Sequence, residues 1–318
     1  MAGLYTILDK QHRDVLDRAV RNVLGTDLAL ETCAQIADGL PLARVACDRY
    51  RPTRYEDHPI ADHTSLCPGA ERAAWEFLSE FALSMLNFDD KLLQSYQSMT
   101  PSRRGFYCRL IELVTVAVHK IAVLLFKKRL RIHDKQPQNA AYTIKMVTSW
   151  QSKEDKNLKL RLHPPGRTMF AHLSYDAKRQ YPNGTADMVG YWAENRIMGG
   201  VVVFDRSQVW ANGYMPEPNV YLHSDRAGVT IRVWQLLGEQ QEALVNFLLS
   251  IGTCPFPLYA SERNLVRFDP DKATWNKVYR DIWEREPPRH VRGRGGGFMG
   301  CVQTELDYPR VREARPRW

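Results

Sequence analysis

The stretch YWAENRIMGGVVVFDRS, residues 191–207, joins a helical pattern to a double glycine and then to an apolar run that ends on a charged pair. Just upstream, Thr185 suits a helix N-cap and Asp187 suits the first turn, where a carboxylate complements the helix dipole. A helix over residues 186–197 would rise roughly 18 Å at about 1.5 Å per residue. Gly199-Gly200 would then allow a tight return, and a strand over 201–205 would run back about 17 Å at about 3.3 Å per residue. Asp205 and Arg206 are therefore predicted to return to the level of the helix N-terminus, near Asp187 and Tyr191. In open α/β sheets ligands sit outside the carboxyl ends of strands, which would place Asp205-Arg206 at a site. The competing reading is a salt bridge in a turn. Tyr191, Glu194 and Asp205 are the pocket residues this stretch offers.

Outward from it, the first half reads as helical. Leu8, Val15, Leu16, Val20, Val23 and Leu24 recur at helical spacing, and DLALETCAQIADGL (27–40) ends at Gly39 and Pro41. Residues 48–69 read as loop. GAERAAWEFLSEFALSMLNF (69–88) puts Trp75, Leu78, Ala82 and Met85 on one stripe. RRGFYCRLIELVTVAVHKIAVLLFKKRL (103–130) is apolar nearly all round and should be a central buried helix. In the second half, TMFAHLSY (168–175) and MGGVVVFD (198–205) read as strands around a helix. NVYLHSD and GVTIRVWQL fit a hairpin around Asp225–Gly228, GEQQEALVNFLLSI a helix, NLVRF a short strand and TWNKVYRDIWERE a closing helix. The expectation is an α+β fold, a helical N-terminal half packed against a mixed sheet with strand–helix units in the C-terminal half. Residues 1–285 form a single globular domain in this reading. Within it, residues 1–132 are helical, 133–166 a mobile connection and 167–285 mixed α/β. Residues 286–318 are a basic Arg/Gly-rich tail.

The 318 residues are 44% hydrophobic and 25% charged, as in a folded soluble protein. Lys and Arg total 44 against 36 Asp and Glu, a net charge of +8, which permits contact with a polyanion without requiring it. The six cysteines are scattered, with no CxxC pair and no Cys/His spacing of a zinc site, so reduced thiols and no metal are expected. The apolar run Leu113–Phe126 is about 14 residues, short of the about 20 that cross a bilayer. The opening residues are charged and carry no secretory leader pattern. A cytoplasmic protein follows, with no membrane and no DNA as partners. No GxSxG, GxGxxG or GxxxxGK[ST] occurs where it would supply a nucleophile or a phosphate loop.

Three further features invite chemistry. Neighbouring Asp89 and Asp90 can hold a metal, bracket a guanidinium, share a proton, or simply cap a helix. Glu112 and His119 lie on one face of the long apolar helix, where ionisable groups need partners; a satisfied Glu–His pair is the plain reading and a perturbed acid–base pair the sharper one. Lys127, Lys128, Arg129 and Arg131 lead off that helix as a basic cluster, and the Arg-rich tail is interleaved with Phe298, Tyr308 and Trp318. Both suit RNA, and both are equally what a solvated helix end and tail look like.

The stretches FDDKL, RLIELVTVAVHKIA, ADMVGYWAENRIMGGVVVFDR and VYRDIWERE, spanning about residues 88–285, resemble the arginine-containing cyclodipeptide synthases of filamentous fungi. The resemblance implies an enzyme that takes arginyl-tRNA and a second aminoacyl-tRNA and forms cyclo(Arg-Xaa) with no cofactor. It makes Asp89, Asp90 and Arg206 candidates for substrate binding and Lys127, Lys128, Arg129 and Arg131 candidates for tRNA binding. Glu194, His119 or Asp205 would be the base, and Tyr191 a proton relay. Bacterial cyclodipeptide synthases carry a serine nucleophile and a Tyr-x-x-x-Glu pair; here Tyr191 and Glu194 are three apart and Ser207 is the nearest serine by position. Two other functions fit the same residues: a metal-dependent small-molecule-modifying enzyme using Asp89 and Asp90, and a non-catalytic RNA-binding protein.

Overall fold

A computed structural model describes residues 4–48, 58–101, 103–140, 142–149, 168–207 and 219–285. The elements in chain order are α1 (Leu4–Ile7), α2 (Lys10–Leu24), α3 (Asp27–Asp38), α4 (Ala43–Ala46), α5 (Ala70–Ser79), α6 (Asp90–Gln97), α7 (Arg104–Lys127) and α8 (Ile144–Ser149). Then come α9 (Thr185–Met198), β1 (Val201–Asp205), β2 (Val220–His223), β3 (Val233–Gln235), α10 (Gly238–Leu248), β4 (Arg267–Phe268), α11 (Pro270–Trp275) and β5 (Val278–Tyr279). The fold is α+β, with a helical N-terminal half and, in the C-terminal half, a sheet interspersed with α9, α10 and α11. All pairings are antiparallel, in the order β4-β3-β2-β1-β5.

The apolar character of α7 decides the core. Leu110, Ile111, Leu113, Val114, Ala117, Val118, Ile121 and Ala122 are all buried, and each large aliphatic contributes about 1.5–3 kcal/mol of burial. α9 lies against α7 at close range because Gly190 has no side chain: a Cβ there would stand 2.6 Å from the His119 ring. α9 is buried almost throughout, polar residues included. It ends at Gly199, whose φ of +97° and contact with the Leu258 backbone leave no room for a larger residue. β1 then runs back with Val202 and Phe204 facing the helical core, and Val201 and Val203 facing a second core with Tyr175, Tyr181, Met188 and Tyr191.

Several sequence expectations are overturned. Residues 168–175 form no strand; they hold one isolated bridge, His172 to Tyr175, in a turn anchored by His172 Nε2 at 3.1 Å from the His223 carbonyl. The helix expected over 69–88 stops at Ser79. It buries Ala70, Ala74 and Phe77, while Trp75 is 61% and Met85 50% exposed. The closing helix over 274–286 is instead the end of α11 followed by β5, which pairs with β1 through Phe204–Tyr279 and Asp205–Val278. The segment 228–236 gives only the three residues of β3, and a nine-residue excursion rather than a tight turn links it to β2. Of the connection 133–166, residues 132–139 form two 3-10 turns and 144–149 form α8; residues 150–166, like the tail 286–318, lie outside the described residues. Among the described residues no helix is long and apolar enough to cross a membrane.

Candidate active site

A cavity of about 590 Å³ opens between α6, α7, the N-terminal half of α9 and the segment 279–284. That volume lies within the range of about 300–1,000 Å³ common to small-molecule sites. α9 carries Asp187, Tyr191 and Glu194 at helical spacing on the face it turns toward α7, and α7 answers with Glu112 and His119 on its own face. Arg206, just after strand β1, lines the same cavity as Asp187 and Tyr191.

The floor is a closed set of ion pairs. Glu194 is fully buried, with Oε1 at 2.8 Å from His119 Nδ1 and Oε2 at 2.8 Å from Arg280 Nη1. The other ring nitrogen, His119 Nε2, stands 3.1 Å from Asp187 Oδ1. The His119 ring thus bridges the Glu194 and Asp187 carboxylates, and Arg280 is the second partner of Glu194. Burial alone would push the Glu194 carboxyl up, but Arg280 and His119 outweigh it and hold it below its ordinary value. Asp187 follows the same balance: burial raises it, and the bond and charge of His119 and the two donors of Asn183, at 2.7 and 3.0 Å, bring it below. Arg280 stays charged, since Glu194 overcomes its desolvation.

The walls add charge of both signs. Glu112 accepts from Arg109 Nη1 at 2.5 Å and from Arg206 Nη2. Arg206 is fixed further by the carbonyls of Tyr279 and Arg280, at 3.1 and 3.0 Å. Tyr191 stacks on Tyr175 with centroids 4.7 Å apart, meets His119 edge-on at 4.6 Å and lies under the Arg280 guanidinium. Burial pushes its phenol well above the ordinary value, so it can donate a proton in a hydrogen bond but is no base near neutral pH. Lys120 donates to the Asn87 carbonyl at the rim, and burial lowers its ammonium below the ordinary value.

The predicted residues divide clearly. His119, Tyr191, Arg206 and Asp89 line the cavity, and Glu194 supports it from beneath. Asp205 does not line it: its carboxylate accepts from the backbone and hydroxyl of Ser207 in a local turn. Asp89 and Asp90 are split, for Asp89 is the N-cap of α6, accepting from Leu92 N at 3.0 Å at the cavity mouth, while Asp90 begins the helix and is not part of the lining. Glu112 and His119 do not pair with each other; Glu112 pairs with Arg109 and Arg206, and His119 with Glu194 and Asp187. In the basic cluster, Lys127 reaches Asn183 Oδ1 at 2.5 Å, tying it to a lining residue; Lys128 covers Phe77, and Arg131 pairs with Asp134 at 2.8 Å. Arg129 is exposed.

Arg109, Lys120, Asn183, Arg280 and Glu284 carry no sequence signal of a site, and Asp187 only that of a dipole partner. The motif VYRDIWERE holds Arg280 and Glu284, and reading it as one helix hides the turn that aims Arg280 inward. A second polar layer lies on the opposite face of α9. There Asn195 Nδ2 donates to Asp225 Oδ1 at 2.6 Å, and Arg196 and Arg226 share Asp48 at 2.8 and 3.2 Å. No protein-family model, curated protein or solved structure matches the chain.

Proposed function

We propose that the protein is an aminoacyl-tRNA-dependent cyclodipeptide synthase that condenses arginine from arginyl-tRNA with a second amino acid, acting in the cytoplasm where charged tRNAs are made. The observation that carries this reading is the ion-paired floor Glu194–His119–Asp187–Arg280 beneath a polar cavity whose rim is tied, through Asn183 and Lys127, to the basic end of α7. A tRNA 3′ end needs both halves of that arrangement: cations for phosphates outside, and proton-transfer groups inside.

The chemistry asks little else of the protein, because an aminoacyl ester is already activated. The α-amine of one aminoacyl group attacks the ester carbonyl of the other. A C–N bond forms, the C–O bond to the terminal ribose breaks, and the proton lost by nitrogen ends on the ribose oxygen. Asp187, at the cavity surface, is placed to take that proton, and the neighbouring His119 to supply one to the departing oxygen. Repeating the step on the second ester closes the ring and frees the second tRNA. Glu194, wholly buried and not among the lining residues, is a positioning residue that fixes the His119 ring and the Arg280 guanidinium. Asp89 at the mouth is the carboxylate for the arginine guanidinium; Lys91 beside it and Arg206 offer charge to carbonyl or phosphate oxygens.

The test is product formation by the purified protein supplied with bulk tRNA, synthetases, ATP and amino acids, with mass spectrometry as the readout. The expected result is an arginine-containing cyclic dipeptide that disappears on ribonuclease treatment and with Asp187→Asn. Folded protein that yields no such product from charged tRNA overturns the proposal. RNA binding that is salt-sensitive and unaffected by Asp187→Asn would then mark a binding protein instead.

A further inference from the structure

Among residues that do not line the cavity, four metal-ligating side chains converge. Asp38 closes α3, His63 and Cys67 come from the segment before α5, and His133 lies in the 3-10 turn after α7. One ligand atom from each lies within 4.8 Å of the other three. Asp38 Oδ2 is 3.1 Å from His63 Nε2, and Cys67 Sγ is 3.5 Å from His133 Nδ1. Zinc binds nitrogen at about 2.0–2.1 Å and sulfur at about 2.3 Å, so neighbouring ligand atoms of a tetrahedral site stand about 3.3–3.8 Å apart. The cluster is close to that size.

The ring nitrogens are already assigned by their outer partners. His63 Nδ1 lies 2.8 Å from the Pro41 carbonyl and His133 Nε2 lies 3.2 Å from the Tyr142 carbonyl. A carbonyl accepts only, so each of those nitrogens carries the proton, and in the neutral rings His63 Nε2 and His133 Nδ1 turn lone pairs inward. Metal-bound histidines are oriented by this kind of outer hydrogen bond. His63 Nε2 faces an Asp38 oxygen at 3.1 Å, a contact that needs either a second ring proton or a cation shared between the two. Asp38 and His133 are wholly buried, and Asp38 Oδ1 has no hydrogen-bond partner among the described residues. A carboxylate buried with an unused oxygen is costly, and a metal ion supplies both the charge and the missing contact. The Asn139 amide stands 3.3 Å from Cys67 Sγ and 3.1 Å from His133 Nδ1; with an ion on Nδ1, it remains a donor to the sulfur.

We propose that Asp38, His63, Cys67 and His133 bind one zinc ion as a structural site. Two neutral imidazoles, a thiolate and a carboxylate balance a divalent charge, and this nitrogen–sulfur–oxygen set favours zinc over magnesium or calcium. Four protein ligands fill a tetrahedron and leave no position for substrate. The site joins α3 to the turn that carries Arg131 and Lys135, and so fixes where the basic end of α7 points.

The test is elemental analysis of wild-type protein purified without chelator, followed by replacement with cobalt. About one zinc per chain is expected, together with a tetrahedral cobalt spectrum carrying a thiolate charge-transfer band. Cys67→Ser should abolish that band, and Asn139→Ala should weaken cobalt binding by about 10-fold or more while keeping it. Folded wild-type protein that carries no zinc and gives only the spectrum of hydrated cobalt overturns the proposal, leaving His63 and Asp38 a plain ion pair. The wild-type measurement decides even where a variant fails to fold, and it stands apart from the synthase reading because neither arm measures product.

Discussion

The two faces of α9 carry comparable polar residues and meet different fates. Toward α7, Asp187 and Glu194 pair with His119 and Arg280 at the floor of a cavity. Away from it, Asn195 and Arg196 join Asp225, Asp48 and Arg226 in a layer that lines none of the cavity. Buried ion pairs therefore do not mark a site by themselves. What distinguishes the first face is open volume beside groups able to exchange protons, and Gly190, which lets His119 enter the helix–helix contact.

The largest effect expected is at Glu194. Glu194→Ala leaves Arg280 and His119 buried without their shared anion, a loss of about 3–5 kcal/mol in denaturant unfolding. On the other face, Asp48 is a quarter exposed, and Asp48→Asn should cost less, about 1–3 kcal/mol. Equal losses would erase the comparison. Gly190→Ala should cost about 1–3 kcal/mol through overpacking against the His119 ring. It should also depress product formation per folded molecule, which Asp48→Asn should leave unchanged.

Asp187→Asn sharpens the contrast in the other direction. It keeps the shape of the side chain, so the stability loss should be modest, whereas product formation should fall by about 10²–10⁴-fold if the carboxylate transfers the proton. Acid unfolding gives an independent reading of the same face. The Glu194 and Asp187 carboxyls are held below their ordinary values, so the unfolded chain takes up protons first. The stability they contribute is complete above about pH 5 and is lost as pH falls through the unfolded and then the folded values. Glu194→Gln should flatten part of that acid limb, and an unchanged limb would show that its charge is not linked to folding.

Much of this face is legible in the sequence because it rests on lengths. Fourteen helical residues, two glycines and a five-residue strand turn the chain back, and Arg206 lines the same cavity as Asp187 and Tyr191. The same arithmetic does not fix which residue of the pair points inward, and Asp205 turns to Ser207 instead. The rule about strand ends in open α/β sheets gives no help, because this sheet is antiparallel. Arg280 is illegible for a different reason: a two-residue strand such as Val278–Tyr279 has no period to detect, and the aromatic and charged residues around it pass for an amphipathic helix. Exposed Trp75 and Met85 mislead in the same way, since periodicity reports spacing and not which neighbour is present to cover it. Of the four donors, His63 and Cys67 share one segment while Asp38 and His133 come from two distant ones, so a lone His-x-x-x-Cys spacing does not announce the set.

The smallest effects separate the two adjacent aspartates, which the sequence presents as one pair. Asp89 spends one oxygen on the Leu92 amide and lies at the cavity mouth, while Asp90 is the first residue of the helix and is not among the lining residues. Removing the cap with Asp89→Ala should cost about 1 kcal/mol, and Asp90→Asn about 0.3–1 kcal/mol through the helix dipole. Stability thus barely tells them apart, and arginine use must. Asp89→Asn keeps a capping oxygen but removes the charge facing a guanidinium, so the apparent KM for arginyl-tRNA should rise while Asp90→Asn leaves it as it was. The opposite pattern would move the arginine subsite off the cavity mouth, and equal effects would mean that the two carboxylates act through the helix they begin and not through the substrate.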